Sequence, residues 1–268
     1  MSGILSIGPL MIAVDRALAV LAIVTFLGLG TMIGSRRDAA AGQASWVAVL
    51  IGVGAARIGF IVQNWSAFAV EPWTMLAFWQ GGFAFWIGVA AALATLGWYL
   101  RARKITALLV SALIALAAGY AAITAALAPA PWPLTKGLIV ARLDGEPLPL
   151  DRLHGRPFIL NLWATWCPPC RRETPMIIDV AGKSGIPVLL INQGETGAQV
   201  KQFLARDRLP RSAVFLDPAQ RLSAAIGAQA FPTTLFVDAS GTVVAVHVGE
   251  ISRAALVAGA RSLERRKR

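Results

Sequence analysis

Phe158-Ile-Leu-Asn-Leu-Trp-Ala-Thr-Trp-Cys-Pro-Pro-Cys170 is the most informative stretch of this chain, because it contains both of its cysteines. An apolar, strand-like run leads directly into Cys167 and Cys170, and a predicted helix follows. At a helix N-terminus, unpaired backbone N–H groups and the positive end of the helix dipole stabilise a thiolate. Since a thiolate is the species that attacks a disulfide, the pattern predicts reversible dithiol/disulfide chemistry.

A zinc site and a purely structural disulfide are the two alternatives. A tetrahedral zinc site uses about four nitrogen or sulfur ligands, and the other candidate ligands, His154 and His247, lie far apart in the sequence. A bridge across two intervening residues closes too short a loop to stabilise a domain much. We therefore expect redox chemistry carried out by the cysteines, with neither a metal nor a cofactor.

The two halves of the chain differ in composition. Residues 1–135 contain seven Lys or Arg and three Asp or Glu, whereas residues 136–268 contain eighteen and eleven. The first half is apolar almost throughout and shows almost no polar face at helical spacing. Because a membrane-spanning helix needs about 20 mostly apolar residues, we predict an α-helical membrane domain with four spans. They are placed near residues 12–34, 44–63, 82–100 and 106–128.

The positive charges predict how these spans are oriented. Basic residues occupy the loop at 36–37, between the first two spans, and the loop at 101–104, between the last two, whereas the loop near 64–81 has no Lys or Arg. Cytoplasmic loops carry an excess of Lys and Arg. The sequence therefore predicts a multi-pass protein of a bacterial inner membrane, with the N-terminus and everything after the fourth span in the periplasm. Dithiol exchange is an expected activity in such an oxidising compartment.

A proline-rich stretch with Pro129, Pro131 and Pro133 separates the halves and is typical of an extended tether. Beyond it, strand-like and helix-like segments alternate, among them a strand at 157–163 and a helix at 168–182, which favours a central sheet covered by helices. We divide the chain into a transmembrane domain at 1–128, a linker at 129–136 and an α/β domain at 137–268. The net charge of +11 includes a basic C-terminal tail. Contact of this tail with anionic lipid headgroups accounts for its charge, and nucleic-acid binding is not needed to explain it.

Three motifs of the second half lead to a family. The Trp-Cys-Pro-Pro-Cys segment follows a strand, an acid stands three residues after the second cysteine, and Phe231-Pro232-Thr233-Thr234 opens a later strand. With these motifs, residues 139–264 resemble the thioredoxin superfamily, and most closely its membrane-anchored TlpA/ResA-like (DsbE-like) branch. The resemblance implies a thioredoxin fold and a protein-disulfide reductase, which exchanges disulfides with protein substrates and is itself reduced by a separate thiol donor.

The same resemblance implies roles for single residues. Cys167 would be the exposed attacking thiol and Cys170 the resolving thiol, the two forming the redox disulfide. Glu173 would accept or hold a proton during exchange; alternatively, its charge only complements the helix dipole. Asn161 stands where classical thioredoxins carry a buried acid. The residues expected to support the dithiol or to line the substrate groove are Trp166, Pro168, Pro169, Phe231 and a cis Pro232.

A second resemblance concerns the membrane half. The segments 6–10, 56–60 and 79–85 are similar to bacterial prolipoprotein diacylglyceryl transferase, over roughly residues 4–125. Trp86 replaces the family's histidine, and a later arginine- and asparagine-bearing signature is absent, so we interpret this half as an anchor. Arg57 would contact a phospholipid headgroup or snorkel to the outer interface. A lipid-modifying protein and a binding module that holds a partner or copper through the dithiol remain alternatives to the oxidoreductase.

Overall fold

The computed structural model describes residues 4–7, 10–36, 38–100, 103–228 and 230–266. The chain divides into two compact units, one made of Ser2–Ser66 and Gly81–Ala128, the other of Ala67–Gln80 and Pro129–Arg268. The segment Ala67–Gln80, predicted as a loop between two spans, therefore belongs by its contacts to the C-terminal unit and not to the predicted transmembrane domain.

The N-terminal half is mostly helical. A short antiparallel strand pair is followed by closely spaced helices, and the second is capped by Asp38, whose Oδ1 accepts a hydrogen bond from the Ala40 backbone N–H over 3.0 Å. A side chain of this kind satisfies a helix N–H that has no partner in the helix. The elements are β1 (Ile4–Ile7), β2 (Leu10–Ala13), α1 (Val14–Arg36), α2 (Ala39–Gln63), α3 (Trp65–Phe68), α4 (Phe85–Tyr99) and α5 (Arg103–Leu127).

Within the described residues, three helices are long and apolar enough to cross a membrane, namely Val14–Arg36, Ala39–Gln63 and Lys104–Leu127. They correspond to the predicted spans at 12–34, 44–63 and 106–128. The span predicted at 82–100 is shorter than expected, because Gly81 and Gly82 have φ values of +75° and +85° and the helix begins only at Phe85. At about 22 Å, α4 is shorter than the roughly 30 Å of a bilayer's hydrocarbon core.

Small residues bring α2 and α4 close together. A Cβ atom added to Gly88 would lie 2.8 Å from the carbonyl oxygen of Gly52 and 2.9 Å from the Ala56 Cβ. Only a residue without a side chain allows the two backbones to approach in this way, which is a common arrangement between membrane helices.

The C-terminal half is an α/β domain, as predicted. Its described residues form an eight-stranded sheet in the order β3-β10-β9-β6-β7-β8-β4-β5, in which β6 is parallel to β7 and antiparallel to β9. The strands are β3 (Trp132–Pro133), β4 (Ile139–Arg142), β5 (Pro147–Pro149), β6 (Phe158–Trp163), β7 (Val188–Gln193), β8 (Val214–Asp217), β9 (Thr233–Val237) and β10 (Thr242–Val248). The helices are α6 (Pro168–Lys183), α7 (Gly197–Arg206), α8 (Arg221–Ile226) and α9 (Arg253–Arg266).

Every residue of β6 and β7 is buried, as continuous apolar strands in the centre of a sheet require. One core cluster includes Ile159 and Trp163 of β6, and another includes Leu160 and Leu162, so alternate residues of the strand contribute to two clusters. Packing against both clusters thus fixes the end of β6, and the cysteine motif follows directly after this strand.

The predicted linker at 129–136 is not a free tether. Trp132 and Pro133 pair with β10 as an edge strand, and the buried Leu134 donates its backbone N–H to the Gly241 carbonyl over 2.9 Å. A proline cannot donate a hydrogen bond to a sheet, but it is tolerated in an edge strand. The extended conformation that the prolines favour is therefore used to complete the sheet.

Candidate active site

The dithiol lies where β6 passes into α6. Cys167 is the N-cap residue of α6, with extended backbone angles, and Pro168 and Pro169 occupy its first turn, where no N–H is needed. Cys167 and Cys170 are joined by a disulfide with a Cα–Cα distance of 5.3 Å. The Cys170 backbone N–H points at Cys167 Sγ over 3.3 Å. A thiolate on Cys167 would thus receive a hydrogen bond at the positive end of the helix dipole.

The expectation that Cys167 is exposed is wrong for this oxidised state. Its exposed fraction is 3%, and Cys170 is fully buried. The reason is that Cys167 Sγ is bonded to the buried Cys170 sulfur and lies 3.6 Å from the carbonyl oxygen of Phe231.

Three of the predicted groove residues, Phe231, Pro232 and Trp166, lie close to this disulfide. The Phe231–Pro232 peptide bond is cis, and the Phe231 carbonyl faces Cys167. Trp166 is 67% exposed, and its ring centroid lies 6.2 Å from that of Phe231. An exposed indole beside a backbone carbonyl offers a protein partner both an apolar contact and a hydrogen-bond acceptor.

Glu173 is buried in the first turns of α6, with an exposed fraction of 3%. Its Oε1 accepts a hydrogen bond from Asn161 Nδ2 over 2.9 Å, and its Oε2 accepts one from the Ile251 backbone N–H over 2.7 Å. The carboxyl group is therefore bound to β6 and to the segment before α9, and not to the N–H groups of its own helix. Such contacts do not match those of a helix-capping charge.

Burial raises the pKa of Glu173 to about 8, although the hydrogen bonds from Ile251 and Asn161 favour the ionised form. Nearby Glu250 also raises this pKa, and Arg172 lowers it. A carboxyl group that exchanges its proton close to neutral pH is suited to general acid–base chemistry.

Glu250 belongs to a charged cluster that the sequence did not predict. Arg172 donates to Glu250 Oε2 from Nε and Nη2 over 2.9 Å and 2.6 Å, and Gln80 Nε2 donates to Glu250 Oε1 over 3.0 Å. These partners lie 78 and 170 positions apart in the sequence, and no local pattern links them.

A second carboxylate was also missed. Glu195, after β7, accepts hydrogen bonds from the Thr165 backbone N–H and from Asn192 Nδ2, and the Thr165 hydroxyl donates to it as well. One signal was available in the sequence, because the polar run 192–195 directly follows the apolar, strand-like run 188–191. Polar residues at the carboxyl ends of neighbouring parallel strands meet at one edge of a sheet.

Arg57 in α2 is buried, with an exposed fraction of 5%. Its Nη1 donates to the carbonyl oxygens of Gly81 and Gly82 over 2.7 Å and 3.0 Å, and its guanidinium lies over the Phe83 ring. The non-helical carbonyls before α4 thus accept hydrogen bonds from this side chain.

The described residues contain no cluster of three or more His, Cys, Asp or Glu side chains that could hold a metal ion. His247 Nε2 lies 3.2 Å from the Glu250 carbonyl oxygen, and His154 Nε2 lies 4.0 Å from Asp151. The dithiol is the chemical group around which the site is built.

Comparison with known proteins agrees with this geometry. A family model described as Redoxin matches residues 128–261. Thiol-disulfide oxidoreductase ResA of Halalkalibacterium halodurans is 32% identical over 114 residues, which are 41% of this chain and 64% of that protein. ResA of Geobacillus thermodenitrificans is 30% identical over 118 residues, which are 43% of this chain and 67% of that protein. The chain spans just under two thirds of the first relative's length.

Among solved structures, an exposed lipoprotein thioredoxin of Streptococcus pneumoniae is similar over 47% of this chain and 98% of its own length, with 24% identity and a TM-score of 0.43.

Proposed function

Because the chain belongs to the Redoxin family, we propose that it is a membrane-anchored thiol:disulfide oxidoreductase that exchanges disulfides with protein substrates through Cys167 and Cys170. The observation that carries the proposal is the disulfide at the N-terminus of α6, which faces the Phe231 carbonyl and the exposed Trp166. The relatives named ResA support the same chemistry.

In the reducing direction, the Cys167 thiolate attacks one sulfur of a substrate disulfide. A mixed disulfide forms, and the other substrate sulfur leaves as a thiolate and takes up a proton. The Cys170 thiolate then attacks Cys167 Sγ, which releases the second substrate thiolate and leaves the enzyme oxidised. Two electrons pass from the enzyme dithiol to the substrate disulfide, and a second thiol protein must return them.

Glu173 is the proton acceptor of the resolving step in this proposal. It lies one helical turn after Cys170, and a carboxylate there would take the Cys170 thiol proton as that sulfur becomes the attacking thiolate. The oxidised enzyme would then carry a protonated Glu173 at neutral pH. The raised pKa of Glu173 in the disulfide-bonded structure supports this product state.

The reductive direction rests on the resemblance to the TlpA/ResA-like branch. The two cysteines of the chain are both in the motif, so residues 1–135 carry no thiol. The membrane half cannot pass electrons to the dithiol by thiol exchange, and we therefore assign that task to a separate thiol donor.

One contact supports the proposed topology. Arg253 Nη2 and Glu71 Oε1 lie 2.6 Å apart, and both belong to the same compact unit. A bilayer cannot pass between two residues in contact, so this pair favours the same membrane side for the 67–80 segment and the redox domain. With the basic loops in the cytoplasm, that side is the periplasm.

The test uses the full-length protein in lipid nanodiscs, with insulin as the disulfide substrate and dithiothreitol as the donor. Wild type should accelerate insulin reduction, and Cys167→Ala should not. Cys170→Ala should accumulate mixed disulfides that reductant releases, whereas Cys167→Ala should trap far fewer. Equal insulin reduction by wild type and Cys167→Ala would refute the proposal and favour a binding module.

The lipid-modifying alternative is tested on the same material. Trp86 stands in place of the family's histidine and the later signature is absent, so we expect no transfer of a diacylglyceryl group. Radiolabelled phosphatidylglycerol incubated with a prolipoprotein peptide should leave the peptide unlabelled. Labelling that is lost in Arg57→Ala would establish the transferase instead.

A further inference from the structure

Glu195 lies beyond the carboxyl end of a central strand, on the side of the sheet where the cysteine motif begins. It follows β7, which is parallel to β6, so both strands have their carboxyl ends at this edge. Gly194 turns the chain there with a φ of +79°, and the Glu195 side chain returns to the interior with an exposed fraction of 7%. It meets Thr165, which stands two residues before Cys167.

The Glu195 carboxylate has three hydrogen-bond donors. Its Oε2 accepts from the Thr165 backbone N–H over 2.7 Å and from Asn192 Nδ2 over 2.6 Å, and the Thr165 hydroxyl donates to its Oε1. The described residues provide no Lys, Arg or His within salt-bridge distance of it. Since a buried carboxylate without hydrogen bonds is costly, these three donors must compensate for its burial.

We propose that Glu195 is a positioning residue for disulfide exchange, which acts through Thr165 on the segment that presents Cys167. The proposal rests on the proposed function of the two cysteines. Glu195 holds both the backbone and the side chain of Thr165, and the Cys167 backbone N–H donates to the Ala164 carbonyl on the other side of the same turn over 3.3 Å. The turn is thereby fixed around Thr165.

A loosened turn would move Cys167 Sγ relative to the Cys170 N–H, which is the donor that stabilises its thiolate. It would also release the exposed Trp166, the residue between Thr165 and Cys167. Small displacements of a reacting group are costly, and about 1 Å can lower a rate as much as a hundredfold. Glu195 thus acts on the reaction without touching the reacting sulfur atoms.

The variants separate hydrogen bonding from charge. In Glu195→Gln, the amide oxygen can accept from the two N–H donors, and the amide nitrogen can donate to the Thr165 hydroxyl, because a hydroxyl both donates and accepts. Glu195→Ala removes every acceptor, and Thr165→Val removes only the hydroxyl. Asp238→Ala is the matched control, because Asp238 holds the β9–β10 turn through the N–H and hydroxyl of Ser240 at the opposite end of β9 from Pro232.

The measurement is the alkylation rate of Cys167 against pH in the full-length protein in nanodiscs, with Cys170→Ala as the background so that a single thiol reacts. Glu195→Ala should slow alkylation at pH 7 about tenfold and shift the profile to higher pH. Glu195→Gln should restore the wild-type profile, Thr165→Val should lie between them, and Asp238→Ala should match wild type.

An unchanged profile in Glu195→Ala would overturn the proposal, as would an equal change in Asp238→Ala. Failure of Glu195→Gln to restore the profile would do the same. If Glu195→Ala does not fold, Thr165→Val and Glu195→Gln still decide the outcome. Alkylation does not require turnover, so a protein that fails to reduce insulin but shows these shifts would contradict the proposed function alone.

Discussion

Asn161 Nδ2 donates a hydrogen bond to Glu173 Oε1 over 2.9 Å, in the buried layer between β6 and α6. The same nitrogen donates to Thr234 Oγ1 over 3.1 Å, at the start of the strand that follows Pro232. One amide group therefore connects the proposed proton acceptor to the strand that carries the groove. Asn161 favours the ionised form of Glu173, which makes its removal informative.

Asn161→Ala should move the pH dependence of the resolving step to higher pH. Without the amide donor, the pKa of Glu173 rises further, so a higher pH is needed before the carboxylate that accepts the Cys170 proton is present. The measurement is the rate at which a preformed mixed disulfide on Cys167 decays, determined by rapid quenching at each pH from 5 to 10. Thr234→Val is the control, because it leaves the Asn161–Glu173 bond in place. A profile that does not move in Asn161→Ala would exclude Glu173 from this step.

Glu173→Gln should remove a pH dependence of stability from the oxidised domain. The pKa of Glu173 is raised from 4.5 to about 8 in the folded state, so the folded protein binds more protons than the unfolded protein between these values. Stability must then fall as the pH rises through this window, with a slope approaching about 1.4 kcal/mol per pH unit. Glu173→Gln, which cannot ionise, should lack this loss.

Hydrogen exchange of β6 and β9 amides in the full-length protein measures the stability of the domain at each pH, after correction for the intrinsic exchange rate. If the stability of wild type and that of Glu173→Gln change with pH in the same way, the raised pKa of Glu173 is contradicted.

Arg253→Met should destabilise the C-terminal unit. The Arg253 side chain is 10% exposed, and it pairs with Glu71 over 2.6 Å and with Asp179 over 2.7 Å. The variant leaves two carboxylates without their shared cation, and we expect the opening free energy of α9 amides to fall by about 1–3 kcal/mol. Hydrogen exchange measures this loss, and the exposed Arg265→Met serves as the control. Equal effects of the two variants would show that the pairs contribute no more than surface charge.

Both ends of the membrane half should face the periplasm. An alkaline phosphatase fused after Thr135 is predicted to be active, because it would lie beyond the fourth span, and a fusion after Lys104 is predicted to be inactive, because basic loops stay in the cytoplasm. The reverse pattern would contradict this topology, because it requires either an inverted orientation or a helix α4 that does not cross the membrane. Activity after both positions would show that α5 does not cross the membrane between them.

Local patterns predicted much of this molecule. The strand and helix around the cysteines were expected at 157–163 and 168–182, and they are observed at Phe158–Trp163 and Pro168–Lys183. An uninterrupted apolar run and two prolines at a helix start act within a few residues, so the sequence alone defines them. The cis bond before Pro232 agrees with the family resemblance.

Contacts between distant segments could not be predicted in this way. One of the two partners of Glu173 is a backbone N–H 78 residues later, and every residue except proline offers the same group. The sequence predicts a loop of the membrane half near 64–81, yet Glu71 and Gln80 contact Arg253 and Glu250 within the C-terminal unit. Such pairings depend on tertiary packing, which no spacing in the sequence encodes.

The two outer strands of the eight-stranded sheet share one property. β3 ends in Pro133, and β5 begins and ends in Pro147 and Pro149. A proline has no N–H to offer an incoming strand, and short proline-bearing edges discourage the pairing of one sheet with another. Both edges of this domain are thereby protected from pairing with an extended segment of another protein.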